Sequence, residues 1–340
     1  MSSFRKGIMR GETVKLAGSQ SSVRDARMGI KFYKEPKLEK PDLICGWPGI
    51  GRIGIMAVDY LRRATAAQEM GEIEPWDFFE PQSVIIRDGL LKELEFPTNK
   101  FYYQRLGNKD MLLFIGEEQP SEGMRLYAAG EKAYRMANLV LDIAEKFGSQ
   151  RVYTSGAAVT QTHHTLKPRV WAVPNSKDLI DEVRNYDNTI LMSEIGERHG
   201  QGAISGLNGL LLGVARKRGM KALCLMGEIP YYLQASPWPY PQASISVLEV
   251  LTSILGTDID IVPLDEMSKK IGESIEAFLG NLYEAEALPP QIRKEIRDSI
   301  EKMKYVRETP GPITDEDQKR IMDHIDEFFK KGGKGDERAS

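Results

Sequence analysis

The stretch Asp42 to Arg63, D-L-I-C-G-W-P-G-I-G-R-I-G-I-M-A-V-D-Y-L-R-R, governs how the rest of the chain is read. Leu43-Ile44-Cys45 predicts a short buried strand. Gly46, Pro48, Gly49, Gly51 and Gly54 predict a tight turn after it. Ile53, Ala57, Tyr60 and Leu61 then recur at spacings of three and four, which puts them on one face of a helix running to about Gln68. Glycines at such a turn let the backbone reverse sharply and approach a neighbouring strand or a ligand. The free N–H groups at the start of the helix form a ready anion site.

Gly49-Ile50-Gly51-Arg52-Ile53-Gly54 matches G-x-G-x-x-G, the dinucleotide fingerprint, between a strand and a helix as that motif requires. The fingerprint also asks for an acidic residue about 20 residues on, at the end of the next strand. Here Met70 to Pro81 is broken by Gly71, Pro75 and Pro81, and the next predicted strand, Ser83 to Arg87, ends late at Asp88. A P-loop would need Lys followed by Ser or Thr where Arg52-Ile53 stands. Two readings remain. Gly49, Gly51, Arg52 and Gly54 hold an anionic small molecule or nucleotide, with Glu117, Glu118 and Glu228 at neighbouring strand ends, or the glycines seat the helix closely on the sheet.

At 340 residues the chain has room for one large domain or two small ones. With 41% hydrophobic and 28% charged residues it has the composition of an ordinary globular protein. A net charge of -3 makes no electrostatic case for nucleic acid or an anionic membrane. No apolar run approaches the length of a membrane span, and no apolar leader stands near the start. Cys45 and Cys224, both in apolar runs, read as buried free thiols of a cytoplasmic protein.

In chain order, residues 1–29 read as a flexible arm and Ile30 to Tyr33 as an edge strand. Ser83 to Arg87 reads as a strand, and Gly89 to Glu95 begins a hairpin-like segment. Lys100 to Arg105 and Met111 to Ile115 are strands, and Met124 to Phe147 is a long helix. Strands at Arg151–Thr154, Val170–Val173, Thr189–Met192 and Ala222–Met226 alternate with helices at Ser176–Tyr186, Ile204–Lys217 and Ala243–Leu255. This alternation predicts a three-layer α/β/α fold with a mixed, mostly parallel sheet. Ligands of such folds bind beyond the carboxyl ends of the strands. The domain is expected to span 30–285. A first apolar stripe (Ile271, Ile275, Phe278, Leu279, Leu282) belongs to it. Stripes at Ile292, Ile296, Ile300, Met303 and at Ile321, Met322, Ile325, Phe328, Phe329 predict a helical appendage over 286–331, and 332–340 a disordered tail.

The chemistry-bearing candidates are few. His163-His164 lacks any accompanying metal-ligand pattern and reads as loop histidines with structural hydrogen bonds, as does His199. Ser155 lacks the G-x-S-x-G elbow of a hydrolase nucleophile. Glu117, Glu118 and Glu228 would suit acid–base work if they met, and otherwise cap turns or pair with Arg52, Arg125 or Lys167. The rigid loop Trp238-Pro239-Tyr240-Pro241 has the composition of a subunit contact. No catalytic residue, metal or cofactor is expected.

Several segments, in order and spacing, resemble the PAC2 family, named after proteasome assembly chaperone 2. Leu38 to Gly51 is similar to the family's opening strand and G-x-P-G-x-G turn, and Leu112 to Pro120 to its strand with a Gly-Glu-x-Pro-like turn. Val152 to Ala157, with His164-Thr165 and Pro168, is similar to a region containing His-Thr-Arg-Pro, although Leu166-Lys167 replaces the single Arg. Gly206 to Leu212 with Gly219 and Ala222 to Pro230, and then Tyr231 through Ala243, complete the match over roughly residues 30 to 285. The resemblance implies a phosphorylase- or hydrolase-like three-layer fold, a homo-oligomer with a trimer favoured, and action by protein–protein contact like an assembly chaperone. It implies no established catalytic residues. Members acting on the proteasome tend to carry a C-terminal hydrophobic-Tyr-x tail. The sequence here finishes Asp336-Glu337-Arg338-Ala339-Ser340, so docking through that end is not expected.

Overall fold

The structure is a computed structural model that describes residues 23–25, 29–107, 109–121, 128–191 and 203–305. Its strands are β1 (Val23–Asp25), β2 (Ile30–Phe32), β3 (Asp42–Gly46), β4 (Gln68–Ile73), β5 (Ser83–Arg87), β6 (Leu90–Glu95), β7 (Asn99–Arg105), β8 (Asp110–Gly116), β9 (Arg151–Thr160), β10 (Val170–Pro174), β11 (Thr189–Leu191) and β12 (Lys221–Pro230). Its helices are α1 (Ile53–Ala64), α2 (Gly130–Lys146), α3 (Asp178–Val183), α4 (Gly206–Lys217), α5 (Pro241–Leu255), α6 (Val262–Glu284) and α7 (Pro290–Lys302).

Ten strands form one mixed sheet in the order β1-β2-β4-β7-β8-β3-β9-β12-β10-β11. The centre, β8-β3-β9-β12, is parallel. The flanks are antiparallel apart from the β10–β11 pair. Central parallel strands are covered on both faces, which is why β3 reads as an unbroken buried run. Alternate side chains divide between two cores. Ile44, Leu113, Tyr153 and Leu225 face the layer of α1 and α5, whereas Leu43, Cys45, Phe114 and Val152 face α2 and α4.

The three-layer α/β/α fold with added C-terminal helices is as the sequence predicts, but the sheet is mixed rather than mostly parallel. Five of its nine strand pairings are antiparallel, as short connections favour between β1 and β2 and between β7 and β8, and there are several local differences. The helix α1 ends at Ala64, and β4 follows it where the broken 70–81 stretch gave no strand signal. Gly71 lies inside this strand because a side chain there would strike the Lys31 carbonyl at 2.7 Å. Helix α2 starts at Gly130 rather than Met124: Ala129 is extended, and Gly130 turns the chain at φ 85°. Ile30–Phe32 is second from the sheet edge, because β1 pairs outside it.

The stripe at 292–303 forms α7 and a following single turn. Ile296, Ile300 and Met303 are buried in the same core as Ile275, Leu279 and Leu282 of α6. The expected third stripe at 321–329, the tail at 332–340 and most of the N-terminal arm lie outside the described residues. Strands β5 and β6 form a separate two-stranded ribbon outside the main sheet.

Candidate functional site

The carboxyl ends of β8, β3, β9 and β12 share one edge of the sheet, and the glycine-rich turn rises from β3. Trp47, 3% exposed, packs edge-on against Phe114 at 5.2 Å. A single tight turn, Ile50–Arg52, leads into α1 with Gly51 at φ 60° and Arg52 at φ 52°. The Gly51 carbonyl accepts the Tyr240 amide at 2.8 Å. A Cβ at Gly51 would meet Ile229 Cδ1 at 2.9 Å, and one at Gly54 would meet the Ser155 carbonyl oxygen at 2.2 Å. These two glycines therefore let α1 lie against β9 and β12. Among the described residues nothing lies within 4 Å of such a Cβ at Gly49, and Arg52 is exposed.

The dinucleotide arrangement requires β-α-β neighbours, and the sheet order does not supply them. The strand after α1 is β4, which lies three places from β3 with β8 and β7 between.

Nor do the three carboxylates converge. Glu117 Oε2 accepts the Thr98 amide at 2.8 Å, and Glu118 Oε2 accepts Gln82 Nε2 at 2.9 Å, both at the surface. Glu228 lies inside β12, 1% exposed. It accepts four hydrogen bonds: from Arg169 N and Nε at 3.0 Å, Arg169 Nη2 at 2.8 Å and Trp171 Nε1 at 2.9 Å. Three inter-strand spacings, about 14 Å, separate β8 from β12. Glu228 is thus the buried half of an ion pair joining β12 to β10. Its partners escaped the sequence reading because they stand 57 to 59 residues away, on a strand whose antiparallel placement no local pattern announces.

The histidines form a buried polar cluster. His163 and His164 are 1% and 6% exposed, with ring centroids 4.2 Å apart. The Tyr232 hydroxyl accepts the His164 amide at 3.0 Å and lies 2.8 Å from His164 Nδ1. The Glu276 carboxylate of α6 accepts from His164 Nε2 at 2.8 Å. His163 Nδ1 accepts from Thr165, leaving its buried Nε2 without a partner among the described residues. Burial, followed by the charge of His164, pushes the His163 pKa down to about 4. Both are loop histidines with structural hydrogen bonds, as the sequence predicts. Tyr232, which organises them, had no sequence signal. Among the described residues no group of three or more His, Cys, Asp or Glu could hold a metal, and His199 lies outside them.

Other candidates are absorbed by packing. Ser155, 1% exposed, donates to the carbonyls of Gly54 at 3.2 Å or Cys45 at 3.4 Å. Cys45 and Cys224 are free and buried, and burial pushes the Cys224 thiol up to about 11. The Trp238–Pro241 loop, expected at a subunit contact, is used within the chain. Trp238 packs on Phe278 of α6 at 5.5 Å, and Tyr240 is 3% exposed. No helix is long and apolar enough to cross a membrane among the described residues.

Comparison with known proteins agrees with this architecture. An uncharacterized protein of Methanocaldococcus jannaschii, MJ1210, is 29% identical over 264 residues, covering 76% of this chain and 92% of the relative. The crystal structure of Pyrococcus furiosus PbaB, described as an archaeal proteasome activator, matches with a TM-score of 0.62 and 28% identity over 73% of this chain and 97% of that one. A PAC2 family protein of Streptomyces avermitilis shares the fold, with a TM-score of 0.54 and 21% identity over 70% and 95% of the two chains. So does Pyrococcus furiosus PbaA, described as an archaeal homolog of proteasome-assembly chaperone, with a TM-score of 0.52 and 20% identity over 80% and 97%. The PAC2 family model matches residues 43–279, from the first core strand through most of α6, and the chain belongs to the PAC2 family.

Proposed function

We propose that this chain acts by protein–protein contact, in the manner of an assembly chaperone, as a cytoplasmic homo-oligomer with three copies favoured. The observation that carries this reading is the likeness to PbaB, an archaeal proteasome activator, over nearly all of that protein. The strand-end edge supports it too: Glu228, Ser155, Gly51 and Gly54 all serve contacts within the chain. A proteasome particle is accordingly the first partner to try. The purified protein, sedimented with 20S particles, is expected to move with them and to leave them when untagged protein is added in excess. Sedimentation as a free species at every particle concentration would overturn the partner. Native mass spectrometry measures the copy number in the same preparation.

The ligand reading at Gly49, Gly51, Arg52 and Gly54 keeps one supporting observation, the open space at Gly49 beside the exposed Arg52 at the start of α1. Extra mass of nucleotide size on each subunit would favour it. It is dismissed if the native spectrum shows bare chains and nucleotides leave the melting temperature unmoved.

A further inference from the structure

Asp-Gly occurs once in this sequence, at Asp88-Gly89, and Asn-Gly once, at Asn208-Gly209. In either pair the glycine amide nitrogen can close a five-membered ring on the side-chain carbonyl carbon before it, because glycine has no side chain to obstruct the approach. The fold treats the two pairs in opposite ways.

Asp88-Gly89 is the turn of the β5–β6 ribbon. Both residues have positive φ, 55° and 74°, the geometry Asp-Gly favours in a two-residue hairpin loop. Both are exposed, and among the described residues nothing lies within 4 Å of a Cβ built at Gly89. Among the described residues the Asp88 carboxylate and the Gly89 amide have no hydrogen-bond or ion-pair partner. The turn is closed by the Arg87–Leu90 pairing at its base. Neither strand of the ribbon takes part in the main sheet, and every residue of β6 and all of β5 except Ile85 is exposed. A bulge between the Ile85 and Ile86 pairs weakens the ladder further. An isolated two-stranded ribbon is marginal in water, so its turn opens at a fraction of the cost of unfolding the domain.

Asn208-Gly209 lies in the first turn of α4. Asn208 Nδ2 donates to the Ser155 carbonyl at 2.9 Å, and a Cβ at Gly209 would meet the Ile204 carbonyl oxygen at 2.1 Å. Leu207 and Leu211 of the same helix are fully buried in the core. Ring closure at Asn208 therefore requires α4 to unfold.

We propose that Asp88 is a site of spontaneous isoaspartate formation in the folded chain. The Gly89 amide nitrogen attacks Cγ of the Asp88 carboxylic acid. The N–Cγ bond forms, the bond from Cγ to its hydroxyl breaks, and the hydroxyl leaves with the amide proton as one water. The product is a five-membered succinimide. Water then opens the ring at one of its two carbonyls. Breaking the N–Cγ bond restores aspartate. Breaking the bond from that nitrogen to the Asp88 main-chain carbonyl carbon routes the backbone through Cγ and leaves the former main-chain carboxyl as the side group. The sum is an isomerisation whose one co-reactant is solvent water, returned in the first step and taken up in the second. The isoaspartyl backbone is one carbon longer, so a two-residue loop no longer matches the Arg87–Leu90 register. The exposed apolar side chains Val84, Ile86, Leu91 and Leu94 depend on that register for their alignment.

The test uses the full chain, held folded at physiological temperature and neutral pH for several weeks. The proteolytic peptide carrying residue 88 is isolated, its isomers are separated by chromatography, and electron-transfer fragmentation identifies them. Isoaspartate is expected at residue 88 at a rate within roughly tenfold of that in urea, as an easily opened ribbon allows, while Asn208 of the folded chain stays intact. Asp88→Glu, which would have to close a six-membered ring, is expected to abolish the product. Asp88→Asn, which loses ammonia in place of water, is expected to raise it. Hydrogen exchange of the aged chain is expected to quicken across residues 83–95 and to stay unchanged in the main sheet. If residue 88 converts in urea but remains aspartate in the folded chain, the turn is protected and the proposal fails. Conversion of Asn208 in the folded chain at the same rate would also overturn it, because the fold would then not be selecting the site. Unchanged exchange in a ribbon shown to carry isoaspartate would overturn the effect on register.

Discussion

The strand-end edge and the ribbon are opposites. At the edge, glycine, serine and a glutamate suggest ligand chemistry, yet each is consumed inside the chain: Gly54 by Ser155, Ser155 by the Gly54 and Cys45 carbonyls, Glu228 by Arg169 and Trp171. At the ribbon, a plain run of valine, isoleucine and leucine suggests core, yet the side chains stand in solvent. A polar group with partners on every side is part of the scaffold, whereas an apolar face with none is a place for something else to bind. On the proposed reading, the contrast puts the working surface of this PAC2 protein on its outside. It predicts that substitutions at the edge unfold the chain, while substitutions on the ribbon change only its company.

The largest effect is expected from Arg169→Ala. It leaves the Glu228 carboxylate, 1% exposed, with Trp171 as its remaining side-chain partner. Stranding a buried charge in this way costs about 3–5 kcal/mol. Glu228→Gln in the same background is expected to recover part of the loss, because the charge is the source of the penalty. Urea denaturation at neutral pH checks both. A midpoint that Arg169→Ala does not move would return Glu228 to the list of functional candidates.

Next comes Gly54→Ala. The new Cβ would sit 2.2 Å from a backbone oxygen of β9, which cannot swing aside as a side-chain tip can. Helix α1 must shift from the sheet, at a cost of about 3 kcal/mol. An unaltered midpoint would mean that the glycine serves a ligand rather than packing. By contrast, Leu91→Glu on the ribbon is expected to change the stability of the isolated chain by no more than about 0.5 kcal/mol, the norm for an exposed position.

A smaller effect tests the histidine cluster. His163 has its pKa depressed from 6.5 to about 4 by burial, then by its neighbour His164 and by Lys304, with Glu301 and Glu276 opposing the shift. Between these values the unfolded chain binds the proton and the folded chain does not. The contribution is therefore fully present above pH 6.5 and declines as pH falls toward 4. After allowance for solvent screening it amounts to about 2 kcal/mol. His163→Gln should flatten the stability profile over that window relative to wild type. Profiles that stay parallel would show that the ring is protonated in the folded chain.

The layers of the fold were legible in the sequence because each core strand is a short apolar run and each helix an apolar stripe, both signals local in the chain. Strand β4 was not, because a glycine chosen for a close approach to Lys31 looks, in one dimension, like a loop glycine. The candidate site was legible as a set of residue types but not as an arrangement. Nothing near Glu228 tells that Arg169 lies alongside it, and the same G-x-G-x-x-G letters serve a phosphate or a tight helix–strand contact equally well. The ribbon was legible as a strand at Ser83 to Arg87 and a hairpin-like segment at Gly89 to Glu95. Its isolation from the sheet was not, because alternation shows which residues share a face and not whether that face is covered.

The smallest effect bears on the one position at the edge that packing does not explain. Arg52 holds φ 52° and ψ 22°, a left-handed conformation that costs a non-glycine residue about 1–2 kcal/mol. It is the N-cap of α1, where its side chain makes no capping hydrogen bond and its cation opposes the positive end of the helix dipole. Asparagine tolerates this conformation, caps well and carries no charge. Arg52→Asn is therefore expected to raise stability by about 1 kcal/mol, readable as a melting temperature a few degrees higher. If it does, local energetics disfavour arginine there, and an exposed guanidinium beside the open space at Gly49 is accounted for by an external acidic group. A proteasome surface and a small anion then separate cleanly, since Arg52→Asn would weaken sedimentation with the particle in the first case and nucleotide retention in the second. If stability falls instead, Arg52 is one more internally engaged residue, and the division between a self-satisfied edge and an outward-facing ribbon holds throughout.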